Sequence, residues 1–234
     1  IPARLKSTRF PEKMLARIAD KPLIWYTWNQ AKKAKSLDAL IIATDSKVIY
    51  DIAKNFGAEV IMTSDTIQSG SDRTAAALKK FKTFVPDIVV NIQGDEPLIP
   101  PKAIDDTVNA LKKSTDEFVV ATPSTPFQSA LDMESPNFVK VVTDTKGKAL
   151  YFSRSKIPYP RDPFEGYYKH LGLYAYRADF LKKYVKLKQT PLELAEKLEQ
   201  LRVIEHGYAI KVVKGKYDNM EVNTPEEFER AKNM

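Results

Sequence analysis

The sequence predicts an α/β fold in which a mostly parallel sheet is flanked by helices and a smaller β-rich region is set into the second half of the chain. Three observations lead there. Short β-branched runs alternate with amphipathic, helix-length segments through the first half, the pattern of parallel βαβ units. One such run, Asp87-Ile-Val-Val-Asn-Ile-Gln-Gly-Asp95-Glu-Pro97, is too short for a helix and stops at turn-forming residues. It reads as a strand covered on both faces and ending in acid. From about Phe127 to Tyr176, aromatics and prolines become frequent and no long helical pattern occurs. Residues of about 127–176 therefore read as a β-rich subregion inside a single domain of residues 1–234.

Taken in order, Ile1-Pro-Ala-Arg4 reads as a strand end running into a loop, since Pro2 and Pro11 exclude a continuous helix. A helix opens at Pro22 with Ile24, Trp28 and Ala31 on one face. Ala39 to Ala43 is a strand ending at Thr44-Asp45. The next helix carries Val48, Ile52 and Phe56 on its buried face and stops at Gly57, and Glu59 to Met62 is the third strand. Ser69-Gly70-Ser-Asp-Arg73 precedes a helical run from Thr74 to Phe81, so its backbone N–H groups lie at a helix start. Pro101 opens a helix with Ile104, Val108 and Leu111 inward, and Glu117 to Thr122 is a strand. In the β-rich part the strands are Val139 to Val142, Ala149 to Phe152 and His170 to Tyr176. The alternation along the last puts His170, Gly172 and Tyr174 on one side. Thr190-Pro-Leu-Glu193 is a capping box for a helix with Leu194, Leu198 and Leu201 as its buried stripe, and Thr224-Pro-Glu-Glu227 repeats the device for the last helix. Tyr208 to Val213 is the strand between them.

Composition narrows the function. The chain has 43% hydrophobic residues, enough for an ordinary core, and no apolar run of the roughly 18 residues that a membrane span needs. No leader-like segment is seen and export is not expected. The absence of cysteine excludes disulfides and thiolate metal sites. The net charge of +7 invites a nucleic-acid partner, but the basic residues are dispersed and carry no nucleic-acid motif. Their densest group, Arg4, Lys6, Arg9, Lys13 and Arg17, suits one polyanionic small molecule. In open α/β sheets ligands bind beyond the carboxyl ends of the strands, where a carboxylate such as Asp95 can hold magnesium against substrate phosphates.

Several stretches together carry a family resemblance: Ile-Pro-Ala-Arg4-Leu-Lys-Ser7-Thr-Arg9-Phe-Pro-Glu-Lys13, Ala43-Thr-Asp45, Ser69-Gly-Ser-Asp-Arg73, Asn91-Ile-Gln-Gly-Asp-Glu-Pro97, Tyr151-Phe-Ser-Arg154 with Ile157-Pro158, His170-Leu-Gly-Leu-Tyr-Ala-Tyr176 and Leu198-Glu-Gln-Leu-Arg202. In this order and spacing the chain resembles the 3-deoxy-manno-octulosonate cytidylyltransferases (CMP-Kdo synthetases) over essentially its whole length. The related sialic-acid activating enzymes carry a Gly-Ser-Lys-Gly pattern where this chain has Lys6-Ser-Thr-Arg9. The resemblance implies a glycosyltransferase-A-like nucleotidyltransferase fold, a homodimer, a cytoplasmic location and magnesium as cofactor. The implied reaction joins CTP to the anomeric hydroxyl of an acidic octulosonate sugar, releasing pyrophosphate, for lipopolysaccharide synthesis.

It further implies that Arg4, Arg9 and Lys13 hold the triphosphate, with Arg4 and Lys13 catalytic beside Asp95, and that Ser69, Gly70 and Arg73 form the nucleotide-binding loop. Gln93, Arg154, His170, Tyr174, Glu199 and Gln200 would bind the sugar, Arg154 taking the carboxylate through its planar fork. The family pattern breaks at one place. Gly-Val-Asp-Thr-Pro-Glu is usual before the last helix, its aspartate being the second metal ligand, and here the row reads Glu221-Val-Asn223-Thr-Pro-Glu226. Asn223 keeps an oxygen without the charge. Glu221 or Asp218 supplying the missing carboxylate, an 8-amino octulosonate as substrate, and a catalytically silent nucleotide-binding protein all stay open at this point.

Overall fold

A computed structural model describes residues 1–6 and 10–232. In it the chain divides into two compact units, one of residues 1–86, 91–105 and 218–234 and one of residues 87–90 and 106–217.

The first unit is built on βαβ units. Strands β1 (Pro2–Ala3), β4 (Ile41–Thr44) and β5 (Glu59–Met62) pair in parallel with β4 in the middle, Ala3 opposite Thr44 and Thr44 opposite Met62. A short antiparallel ribbon, β2 (Arg17–Ile18) with β3 (Lys21–Pro22), leads into helix α1 (Leu23–Ala31). Ile24, Trp28 and Ala31 are buried along α1, as its periodicity requires. Helix α2 (Lys47–Asn55) differs from the sequence expectation in its inward face. Ile49 and Ala53 are wholly buried, whereas Val48 is 51% exposed. Ser46 caps the helix, its hydroxyl accepting from the Ile49 N–H. Helix α3 (Gly70–Lys80) begins at Gly70 rather than Thr74, because Ser69 accepts the Asp72 N–H and serves as its N-cap.

The second unit holds a seven-stranded sheet. Strand β6 (Ile88–Asn91) leads to α4 (Pro101–Lys113), whose residues divide between the units at 105. Then come β7 (Phe118–Pro126), α5 (Ala130–Glu134), β8 (Lys140–Thr143), β9 (Ala149–Ser153), β10 (Tyr168–His170) and β11 (Tyr174–Arg177). Helices α6 (Ala178–Tyr184), α7 (Pro191–Glu196) and α8 (Leu201–Glu205) precede β12 (Ala209–Lys214). The order is β6-β11-β7-β10-β8-β9, with β12 also on β7. The β7 pairs with β10 and β11 are antiparallel and that with β12 is parallel. The last helix, α9 (Pro225–Lys232), returns to the first unit, where Leu23, Val222, Phe228 and Ala231 form a core.

Four expectations change here. β6 ends the strand order instead of being covered on both faces. Ile88, Val89 and Val90 are half-buried, with Ile88 and Val90 packed on a core of Val108, Leu111, Phe118, Ala121, Ala175 and Ala209. β7 runs past Thr122 to Pro126, through Pro123, a residue whose missing N–H argues against an inner strand in sequence reading. The single strand expected from His170 to Tyr176 is two strands. The five steps from His170 to Ala175 oppose only three from Ser124 to Ala121, so the chain bulges at Leu171–Leu173. The helix expected through Leu194, Leu198 and Leu201 breaks at Lys197, which has φ 54°, and Leu194 is 47% exposed.

What joins α7 to α8 is a buried ion pair. Arg202 Nε donates to Glu193 Oε2 at 2.8 Å and its Nη2 to the other oxygen, while the guanidinium lies over the Tyr184 ring at 4.9 Å. Removing one partner of such a pair leaves an uncompensated buried charge. Arg202→Met is expected to lower stability by about 3 kcal/mol in urea unfolding. A change under about 1 kcal/mol would show that Glu193 finds another partner.

Candidate functional site

In the first unit, four segments distant in sequence close around Gly94 and Asp95. Gly94 is required by proximity: a Cβ there would lie 3.0 Å from the Pro2 carbonyl oxygen, 2.9 Å from Met14 Sδ and 3.3 Å from Ile24 Cδ1. Thr27 of α1 donates to the Gly94 carbonyl at 2.8 Å, and the Val222 N–H donates to the Asp95 carbonyl at 2.9 Å. The turn that begins at Glu12, a left-handed residue with φ 54°, brings Lys13 inward. Lys13 Nζ then donates to Asp95 Oδ2 at 2.5 Å, with side chains only 8% and 17% exposed.

The segment held by the Val222–Asp95 bond puts Glu221 and Asn223 into the same neighbourhood. Enclosure of the Glu221 carboxyl, and then the Asp95 charge, raise its pKa, while the Asn223 side chain and Lys13 act in the opposite direction. The residue as a whole is nonetheless exposed. Asn223 is fixed at its backbone, where its N–H donates to Glu227 at 2.6 Å in the box that starts α9. Asp218 is exposed, and of the two substitutes considered from sequence it is Glu221 whose electrostatics involve Asp95. Asp95, Glu221 and Asn223 carry oxygen donors of the type magnesium takes, although no three histidine, cysteine, aspartate or glutamate side chains among the described residues are grouped to hold a metal ion.

Ser69 and Gly70 lie beside this cluster. A Cβ on Gly70 would be 3.4 Å from Pro2 and 3.5 Å from the Gln93 amide, ordinary contacts that seat Gln93 against the start of α3. Arg73 is buried, and its guanidinium donates to Asp45 at 2.8 Å, Thr63 at 2.6 Å and the carbonyls of Ser64 and Ile67. Its hydrogen bonds shape the loop of residues 63–68. Arg4 is exposed, with Nη1 3.5 Å from the Gln68 carbonyl. Arg9 lies outside the described residues.

The second unit gathers a separate polar and aromatic group. His170 packs on Phe152 at 5.0 Å and on Tyr174 at 5.4 Å, and its Nε2 lies 2.9 Å from Thr122 Oγ1. The one hydroxyl proton of Thr122 goes to the Leu173 carbonyl at 2.7 Å, so His170 donates from Nε2 and Nδ1 is left as the acceptor. Enclosure lowers its pKa to about 3. Tyr174 donates to Gln200 Oε1 at 3.2 Å, and the Gln200 Nε2 is buried without a partner among the described residues. Gln200 is therefore turned inward. It is buried in the link before α8, and Glu199 beside it is half-buried with its carbonyl accepting from Tyr184 at 2.9 Å. Arg154 is anchored by Nε to the Glu196 carbonyl at 2.9 Å and by Nη1 to the Pro136 carbonyl at 3.0 Å. Sequence reading missed Thr122, Thr27 and Glu196, which bond partners far along the chain and carry no local signal.

Comparison with known proteins agrees over the full chain. The family model described as "Cytidylyltransferase" matches residues 1–213. A 3-deoxy-manno-octulosonate cytidylyltransferase of Solibacter usitatus is 46% identical over 236 residues, covering 100% of this chain and 92% of the relative. One of Francisella tularensis subsp. holarctica is 49% identical over 219 residues, covering 91% of this chain and 87% of the relative. A solved structure of CMP:2-keto-3-deoxy-manno-octonic acid synthetase complexed with CTP is similar with a TM-score of 0.92 and 36% identity, covering 99% of this chain and 95% of that one.

Two outcomes follow from this geometry. Gly94→Ala must push a backbone carbonyl aside and is expected to cost about 2 kcal/mol in urea unfolding. Gly70→Ala, which meets only ordinary contacts, is expected to change stability by less than about 1 kcal/mol. For His170 the folded pKa lies below the unfolded one, so the unfolded chain binds more protons between about pH 6.5 and 3 and stability falls as pH drops through that window. The fall should reach up to about 1 kcal/mol per pH unit and flatten in His170→Asn, measured by denaturant unfolding from pH 7 to 5.

Proposed function

The chain belongs to the 3-deoxy-manno-octulosonate cytidylyltransferase family, and from that membership we infer how its residues share the reaction. The enzyme joins CTP to the anomeric hydroxyl of 3-deoxy-manno-octulosonate and releases pyrophosphate. Its relatives are named for the unmodified sugar, and no feature of the described site favours the 8-amino analogue or a silent protein.

The single observation that carries the residue assignment is the Lys13–Asp95 pair beyond the carboxyl end of β6. In-line transfer to a phosphorus needs little covalent help from protein, but needs positioning and neutralised phosphate charge. Lys13 spends one of its three N–H bonds on Asp95, which points the ammonium while two remain for phosphate oxygens. Arg4 and Arg9 add charge for the triphosphate and for the departing pyrophosphate. Ser69 and Gly70, at the start of α3, present backbone groups to the nucleotide, and Arg73 keeps their loop in shape. Gln93, resting against Gly70, orients a sugar oxygen. In the second unit Arg154 takes the sugar carboxylate, while His170 Nδ1, Tyr174, Glu199 and Gln200 take hydroxyls.

Asp95, Glu221 and the Asn223 side-chain oxygen would hold magnesium, whose charge would offset the enclosure and the Asp95 repulsion that raise the Glu221 pKa. Bound there, the ion supplies Lewis-acid stabilisation of phosphate charge. We take the working form to be a cytoplasmic homodimer and the chain to be one nucleotidyltransferase domain, readings supported by the family resemblance.

The test is pyrophosphate release with CTP, magnesium and 3-deoxy-manno-octulosonate. Turnover is expected, with Asp95→Asn lowering kcat by on the order of 100-fold or more, since it unpairs Lys13 and removes a metal-binding charge. CTP binding without turnover on this sugar would overturn the reading, and equal turnover by Asp95→Asn would overturn the assignment of the site.

A further inference from the structure

Lys140 is wholly buried, yet the partners of its Nζ are two backbone carbonyls, those of Ser135 and Arg154, each at 2.7 Å. A buried ammonium held by neutral acceptors is costly compared with an apolar side chain of similar volume. Its cost is matched by what it ties together. Arg154 is held from both sides of its backbone, its carbonyl by Lys140 and its N–H by Glu196 Oε2 at 3.0 Å. Its head is held by two further carbonyls, Glu196 O on Nε and Pro136 O on Nη1. The second bond of Lys140, to Ser135, fixes the residue next to Pro136 and so the shelf under Nη1. Glu196 is oriented in turn by Ser153, whose hydroxyl donates to Oε1 at 2.6 Å. Among the described residues Nη2 makes no hydrogen bond, so the frame fixes every part of the arginine except one edge of its fork.

We propose that Lys140 and Glu196 are positioning residues that aim the Nη2 edge of Arg154 at the carboxylate of the sugar, setting affinity for the acidic substrate without touching it. This rests on Arg154 being the group that meets that carboxylate. A frame of two carbonyls, one carboxylate and one ammonium removes the side-chain freedom that a long arginine would otherwise lose on binding.

The experiment is steady-state kinetics of the full chain, varying sugar and CTP separately, for Lys140→Met, Lys140→Arg, Glu196→Gln and Arg154→Ala, with melting temperatures alongside. Lys140→Met is expected to raise the sugar KM by about tenfold and to leave the CTP KM within about twofold. Glu196→Gln, which keeps the carbonyl on Nε, should raise the sugar KM by a smaller factor, about threefold, and keeps the test open if Lys140→Met does not fold. Lys140→Arg should recover part of the loss. In the Arg154→Ala background, Lys140→Met or Glu196→Gln should add nothing further to the sugar KM, because there is no arginine left to aim. Effects that add fully in that background, or a lowered melting temperature with an unchanged sugar KM, would overturn the positioning role. An unchanged sugar KM in Arg154→Ala itself would instead overturn the assignment of Arg154 to the carboxylate.

Discussion

Close packing at Gly94 is the constraint on which the first unit's site depends. Only a residue without a side chain lets the turn after β6 press against the Pro2 carbonyl, Met14 and Ile24. That approach puts Asp95 within reach of Lys13, and the Thr27 and Val222 hydrogen bonds keep the turn from sliding. The ion pair then works in both directions. It gives the buried lysine a counter-charge, which an ammonium in such a place requires, and it holds the Asp95 carboxylate in one place. Glu221 belongs to the same electrostatic group, since the Asp95 charge helps to raise its pKa.

The second unit solves a different problem, that of holding long or ambiguous side chains in one state. His170 has its tautomer set by Thr122, whose own proton is committed to the bulge at Leu173. Arg154 has its backbone and most of its head tied to Glu196, Lys140 and Pro136. Tyr174 bonds Gln200, and Arg202 with Glu193 locks the two short helices that carry Glu199 and Gln200 between them. Most of these polar atoms have partners, and such bonds specify one arrangement more sharply than apolar packing does, because an alternative leaves a donor or an acceptor unmet.

Much of this was legible in the residues. The parallel order of β1, β4 and β5 follows from strands alternating with helices, and the faces of α1 and α4 follow from spacing. The capping box before α9 follows from Thr224 and Glu227, because each of these signals is local. The inward face of α2, the length of β7, the bulge between β10 and β11 and the break at Lys197 were not legible in the same way. Tertiary packing overrode the local pattern: it buried Ile49 and Ala53 of α2, and the strands paired with β7 carried it through its prolines.

By itself the sequence determined the fold class, the family and the chemical types available at the site, since periodicity, caps and ordered motifs are properties of short stretches. Tertiary structure decided which of those groups act together. Lys13 meets Asp95 across more than eighty residues, Glu221 rather than Asp218 shares its field, Gln200 turns inward, and Lys140 lies under Arg154. The reason is physical: a hydrogen bond or an ion pair depends on distances of a few ångströms, and only the packing of strands and helices brings remote residues that close.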